Sequence, residues 1–163
     1  MEITNNATPV ARLLDEAAIR DTIARFADAA TSGDSKDFRM LWADDAEWVI
    51  GSTEGQPFES RSMGIDEIES HFRDLRDDKE YFIQFAVPGS IEISGDDATV
   101  RCLCYEAGRG PGQFYRNTGI DTVRLRRADK GWVFTSRCYQ YLWLDFSPFS
   151  GDTFRPDAPK ATV

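Results

Sequence analysis

What most constrains this chain is a change of hydrophobic period near its midpoint. Across the first half, apolar residues recur at spacings of three and four, the repeat of a helix with one buried face. Across the second half, "YFIQFAVPGSIEIS", "ATVRCLCYEAG", "FYRNTGIDTVRLRR" and "WVFTSRCYQYLWLDF" are rich in β-branched and aromatic residues. They are separated by "SGDD", "GRGPG" and "ADKG", the composition of hairpin connections, and so read as sequential antiparallel strands. Helices followed by such a run predict an α+β fold, a curved antiparallel sheet forming a cone backed by three N-terminal helices. A cone of this kind encloses an apolar hollow suited to a small molecule.

The first helix is expected from Asp15, as its N-cap, through Ile19, Ile23, Phe26, Ala27 and Ala30 to a stop at Gly33. A second, shorter helix places Phe38, Leu41 and Trp42 on one side; "ADDA" reads as a turn and "EWVIGS" as a strand. "SRSMGIDEIESHFRDLRDD" reads as a third helix with Ile65, Ile68, Phe72 and Leu75 as its apolar stripe. His71 sits at the flank of that stripe, with no acidic or cysteine partner evident nearby in sequence. The expected organisation is a flexible N-terminus over 1–12, one domain over 13–146 and a tail or lid over 147–163.

Composition narrows the function classes. At 163 residues the chain is long enough for one self-sufficient core, and its net charge of −9 disfavours nucleic acid and anionic membrane surfaces as partners. Cys102, Cys104 and Cys138 form no CxxC pair, and His71 is the one histidine, so no metal site is expected. "MEITNNATPVARLL" lacks the pattern of a secretory signal and no apolar run is long enough to span a bilayer, so a cytoplasmic protein is expected. The "GRGPGQ" loop lacks the lysine and context of a phosphate loop.

Four segments, "AAIRDTIARFADA", "LWADDAEWVI", "GIDEIESHF" and "DTVRLRRADKGWVFTSR", make the chain resemble the SnoaL-like family of the nuclear transport factor 2-like superfamily over roughly Leu14 to Phe146. That resemblance implies relatives as different as polyketide cyclases, scytalone dehydratase, a dehydrochlorinase, steroid isomerases and the structural small subunits of ring-hydroxylating dioxygenases. The dehydratase and dehydrochlorinase members use an aspartate–histidine dyad. Counting eleven residues back from Trp42 puts Thr31 at the aspartate position, and Gln84 occupies the histidine position. Matching "SGDSKDF" instead would offer Asp34, but only by shifting Leu41 and Trp42 out of register; Asp34 is then read as a surface residue starting the second helix. Asp28 is a further conceivable replacement carboxylate.

By the same resemblance Arg137 matches a cone arginine facing the leaving group, although pairing with a strand acid such as Asp121 is the alternative. Asp121 lies near the place of an acid–base aspartate in cyclase-like relatives, or is itself paired across the hairpin. Thus Asp121, Arg137 and Tyr139 are the expected catalytic residues, with Thr31, Trp42, Trp48, Gln84, Tyr105 and Tyr141 lining the ligand site. The expected function is a pocket protein for an apolar polycyclic or aromatic ligand, possible chemistry being that of a lyase, cyclase or isomerase without cofactor. The competing expectation is a non-catalytic binding protein or partner subunit. A homodimer or homotrimer through the open sheet face is expected.

Overall fold

The computed structural model describes residues 8–51, 55–56 and 58–154. Three α-helices, α1 (Pro9–Ser32), α2 (Ser35–Met40) and α3 (Ile65–Arg76), accompany six strands: β1 (Trp42–Ile50), β2 (Ser60–Met63), β3 (Tyr81–Ser94), β4 (Asp97–Gly110), β5 (Gln113–Ala128) and β6 (Gly131–Asp145). The strands form one open sheet ordered β2-β1-β6-β5-β4-β3. The α+β cone is therefore present, but its sheet is mixed rather than wholly antiparallel, because β1 runs parallel to β6.

The helix caps differ from expectation at one end. α1 begins six residues before Asp15, with Pro9 in its first turn and Thr8 as N-cap, its hydroxyl accepting from the Ala11 amide. The Asp15 carboxylate instead accepts from both terminal nitrogens of Arg127 at 2.7 and 2.8 Å and from Trp132 Nε1 at 3.2 Å, tying the helix to the β5–β6 hairpin. At the other end Gly33, at φ 75°, closes α1 in the left-handed conformation. Asp34 caps α2, accepting from the amides of Lys36 and Asp37.

Two strands also depart from the sequence reading. "ADDA" belongs to β1, with a register shift between Trp42 and Glu47 absorbing it. "SRSM", expected in the third helix, is the short edge strand β2, and Gly64 starts the helix after it.

Phe26, Phe38, Trp42, Trp48 and Phe134 pack at ring separations of 5.3 to 6.2 Å, and Phe38 stacks on Phe72 at 3.9 Å. This aromatic block fills the space between the helices and the β1–β6 side of the sheet. After β6, residues up to Phe154 are described; the Phe149 and Gly151 carbonyls accept from Arg109, and the Phe149 ring lies under the Arg109 and Arg116 guanidinium groups. The remainder of the expected tail, 155–163, and residues 1–7 of the expected flexible N-terminus lie outside the described residues. Among the described residues no helix is long and apolar enough to cross a membrane.

Candidate functional site

A hollow of about 710 Å³ lies between α1, α3 and the concave sheet face. Its wall is mostly hydrocarbon and aromatic ring, supplied by Phe26 and Ala30 of α1, Phe72 of α3, Trp48 and Ile50 of β1 and Phe82 of β3. Phe58, Leu75 and Phe146, which line it yet stay exposed, mark its open side.

Four polar side chains cross that wall in a line. Gln84, Glu106 and Asn117 are direct cross-strand partners on β3, β4 and β5, so the pleat delivers them to the same face side by side. Gln84 Nε2 donates to Glu106 Oε1 at 2.5 Å, and Asn117 Nδ2 donates to Glu106 Oε2 at 3.1 Å. Tyr139, from β6, donates its hydroxyl to Asn117 Oδ1 at 2.5 Å. Burial drives the Glu106 carboxyl above its ordinary value; the amide bonds of Asn117 and Gln84 oppose that rise without cancelling it. Gln84 Oε1 is buried without a partner. Turning that amide over lets Oε1 accept the proton of a neutral Glu106, so each ionisation state has a matching amide orientation.

Below this line Arg137 and Asp121 are each 1 % exposed and form an ion pair through Nη2 and Oδ2. The guanidinium lies 3.4 Å from the Phe26 ring centre and 4.9 Å from that of Phe134. Arg137 Nε and Nη1 and Asp121 Oδ1 have no further partner, so the two charges answer chiefly to each other.

Tyr115 and Tyr141 complete the polar inventory of the wall. Burial pushes the phenol of Tyr115 upward and that of Tyr141 to about 12, so both keep their protons. His71 reaches the hollow from α3, 5.3 Å from the Trp48 ring, with Nδ1 3.0 Å from Ser62 Oγ. Its serine partner comes from β2, where the sequence reading had placed helix; burial lowers the imidazole's affinity for a proton.

Of the residues expected at the site, Asp121, Arg137, Tyr139, Trp48, Gln84 and Tyr141 line the hollow, while three do not. Trp42 is sealed in the aromatic block behind it. Tyr105 alternates with Cys104 and Glu106 and so faces outward, against Phe85 at 6.3 Å. Thr31 sits in the last turn of α1 and turns its hydroxyl to the Gln84 backbone amide, at 3.1 Å. Asp28, the conceivable substitute carboxylate, is exposed. Expected as an acid–base group or as half of a pair, Asp121 is paired; the carboxyl that the hollow lifts is Glu106, which the sequence reading passed over. A signal for it existed: Glu106 shares strand parity with Cys102 and Cys104, small residues that mark the inner face. Among the described residues no group of three or more His, Cys, Asp or Glu is placed to hold a metal ion.

Residues 11–138 match the family model described as the SnoaL-like domain. No curated protein matches significantly. Similar solved structures include a candidate aromatic ring hydroxylase from Novosphingobium aromaticivorans, at TM-score 0.75 and 21% identity over 86% of this chain and 96% of that one. A hexachlorocyclohexane dehydrochlorinase from Novosphingobium barchaimii gives 0.73 at 21% identity over 92% and 100%. A candidate scytalone dehydratase from Novosphingobium aromaticivorans gives 0.72 at 14% identity over 90% and 97%. At these identities the likeness shows a shared fold.

Proposed function

This chain belongs to the SnoaL-like family, and from that footing we propose that its hollow binds an apolar, polycyclic or aromatic small molecule and moves a proton on it without a cofactor, as a lyase, cyclase or isomerase does. The observation that carries this reading is Glu106, a carboxyl gripped by two amides inside an apolar wall. A buried acid whose proton affinity is raised above the ordinary carboxyl value is suited to give a proton to a bound ligand and take one back. Glu106 delivers its proton to the ligand in one step and recovers one in the next, so no net proton is consumed. Tyr139 holds Asn117, and Asn117 holds Glu106, which fixes the direction of transfer. Arg137 and Asp121, spent on each other, serve as a rigid footing beneath.

The test is proton exchange at the acidic carbon of 2-tetralone, a fused aromatic ketone, followed by NMR in deuterated water. The wild-type protein is expected to accelerate exchange over buffer, and Glu106→Gln to remove on the order of 10²-fold or more of that acceleration. Equal rates for the two proteins would remove Glu106 from the chemistry.

A second reading, a non-catalytic binding or partner subunit, is favoured by the uncharged pair at the family's dyad positions. Thr31 spends its hydroxyl on the Gln84 backbone amide, and the Gln84 side chain donates to Glu106. Under it, 2-tetralone binds without exchange, and Thr31→Asp with Gln84→His introduces activity. We also propose that copies associate as a dimer or trimer through the outer sheet face, where Phe85, Val87 and Leu103 are more than half exposed.

A further inference from the structure

Among the described residues, three lysine or arginine side chains line the hollow: Arg76 at the end of α3, Lys79 just after it, and Arg137 on β6. They are not alike. Arg137 is spent on Asp121, and Lys79 Nζ meets Asp78 Oδ1 at 2.5 Å and the Gln113 side-chain oxygen at 3.2 Å. Arg76 forms no ion pair among the described residues. Its Nε and Nη2 donate to the Ala30 and Thr31 carbonyls, at 2.7 and 3.1 Å, where α1 ends.

Those two bonds account for two of the three guanidinium nitrogens. The third, Nη1, is buried and has no acceptor. The carbonyl end of α1 offers only a fraction of a negative charge, and Asp77, the next residue, attracts the guanidinium without pairing with it. The Phe82 ring, 4.9 Å from Cζ, adds a weak attraction of its own. Burial opposes the charge, yet a guanidinium keeps its proton inside a protein. A full cation with one idle nitrogen in an apolar wall carries a desolvation cost, which an anionic acceptor offsets best. Nη1 is covered in this structure, so a ligand oxygen reaches it by a side-chain shift of the kind common on binding.

Strand register sets where such an anion would stand. Phe82, Gly108 and Tyr115 are cross-strand partners in one row, with Arg76 over its Phe82 end. Gln84, Glu106 and Asn117 form the row two residues on, about 7 Å along the strands. Glu106 favours its proton, so it does not repel an anion held one row away, and that anion in turn favours the protonated acid. We infer that Arg76 is the subsite for an anionic end of the ligand, so that this hollow takes aromatic or polycyclic carboxylic acids, the carboxylate at Arg76 and the ring body before Glu106. This rests on the reading of the hollow as a ligand site and deepens it by naming the charge the ligand carries.

Three probes built on one ring system test it by calorimetry on the full chain at neutral pH: naphthalene, 2-naphthamide and 2-naphthoate. The carboxylate is expected to bind about tenfold or more tightly than its neutral isostere, the worth of one charge-assisted hydrogen bond. Arg76→Gln should erase that preference while naphthalene still binds, and Lys79→Gln should leave it in place. The subsite is overturned if the wild type holds the amide as well as the carboxylate, or if the preference survives Arg76→Gln. A preference lost in Lys79→Gln instead moves the anion to the wrong cation and overturns the assignment equally. Arg76 also braces the end of α1, so where Arg76→Gln no longer binds naphthalene, the wild type and Lys79→Gln decide between them. Binding of naphthalene without preference for the acid would sink the subsite alone, whereas failure of all three probes would sink the ligand-site reading along with it. No step depends on turnover, so a non-catalytic hollow still gives an answer.

Discussion

Glu106 and His71 both prefer their neutral forms in the folded protein, and they bias stability in opposite senses. The unfolded chain ionises Glu106 near 4.5 while the folded chain keeps the proton longer. Above that value the folded state binds more protons, so stability falls as pH rises until the folded carboxyl ionises too. His71, lowered from 6.5, takes its proton first in the unfolded chain, so its contribution is present above that value and lost as pH falls below it. Urea denaturation of Glu106→Gln across this range should show the high-pH decline flattened relative to wild type; an unchanged slope would mean that Glu106 ionises normally in the fold. The buried pair calls for a different comparison. Arg137→Met or Asp121→Asn alone should cost about 3–5 kcal/mol by stranding a charge or its partner, and Arg137→Met combined with Asp121→Leu should recover most of that loss. Residue type explains why these roles were unevenly legible. Asp121 and Arg137 drew notice as charges near a resemblance, but their mutual pairing depends on β5–β6 register, which alternation alone does not supply. Glu106, in "CYEAG", looks like a solvent-facing charge until its phase is counted from the two cysteines.

At the scale of elements, β6 shows where period counting fails. Trp132 and Phe134 face inward on even positions, then a register shift opposite Arg124 and Leu125 skips Thr135, and Arg137, Tyr139 and Tyr141 continue inward on odd ones. One bulge thus turns the hollow-facing side of the strand around, which a strictly alternating count cannot anticipate. The strand and helix segments themselves were plain because their apolar repeats are long; β2, four residues at an edge, carries too little pattern to be seen. Glycines on β4 and β5 are the counterpart of the inward tyrosines. Gly119 leaves room for the Tyr139 ring as Gly108 does for Tyr115. Gly119→Ala is expected to push that ring off its strand, break the bond to Asn117 and loosen Glu106. Ketone exchange should then fall while far-ultraviolet circular dichroism stays native; undisturbed exchange would show that Tyr139 does not position the carboxyl.

For the whole molecule, the outer sheet face is the feature that composition could not disclose. Phe85 stacks with Tyr105 and Val87 pairs with Leu103 across β3 and β4, an apolar patch on the side opposite the hollow. If copies associate there, Leu103→Lys should shift sedimentation toward the monomer while leaving naphthalene affinity alone, and a wild-type protein that sediments as a monomer at micromolar concentration would dismiss the assembly. The parallel pairing of β1 with β6 reaches beyond equilibrium. During synthesis the segment from Trp42 to Ile50 leaves the ribosome long before the only neighbour that can seat its other edge exists. Until Gly131–Asp145 has been made, β1 can pair with β2 on one edge but has no β6 on the other, and the aromatic block that Phe134 completes stays open.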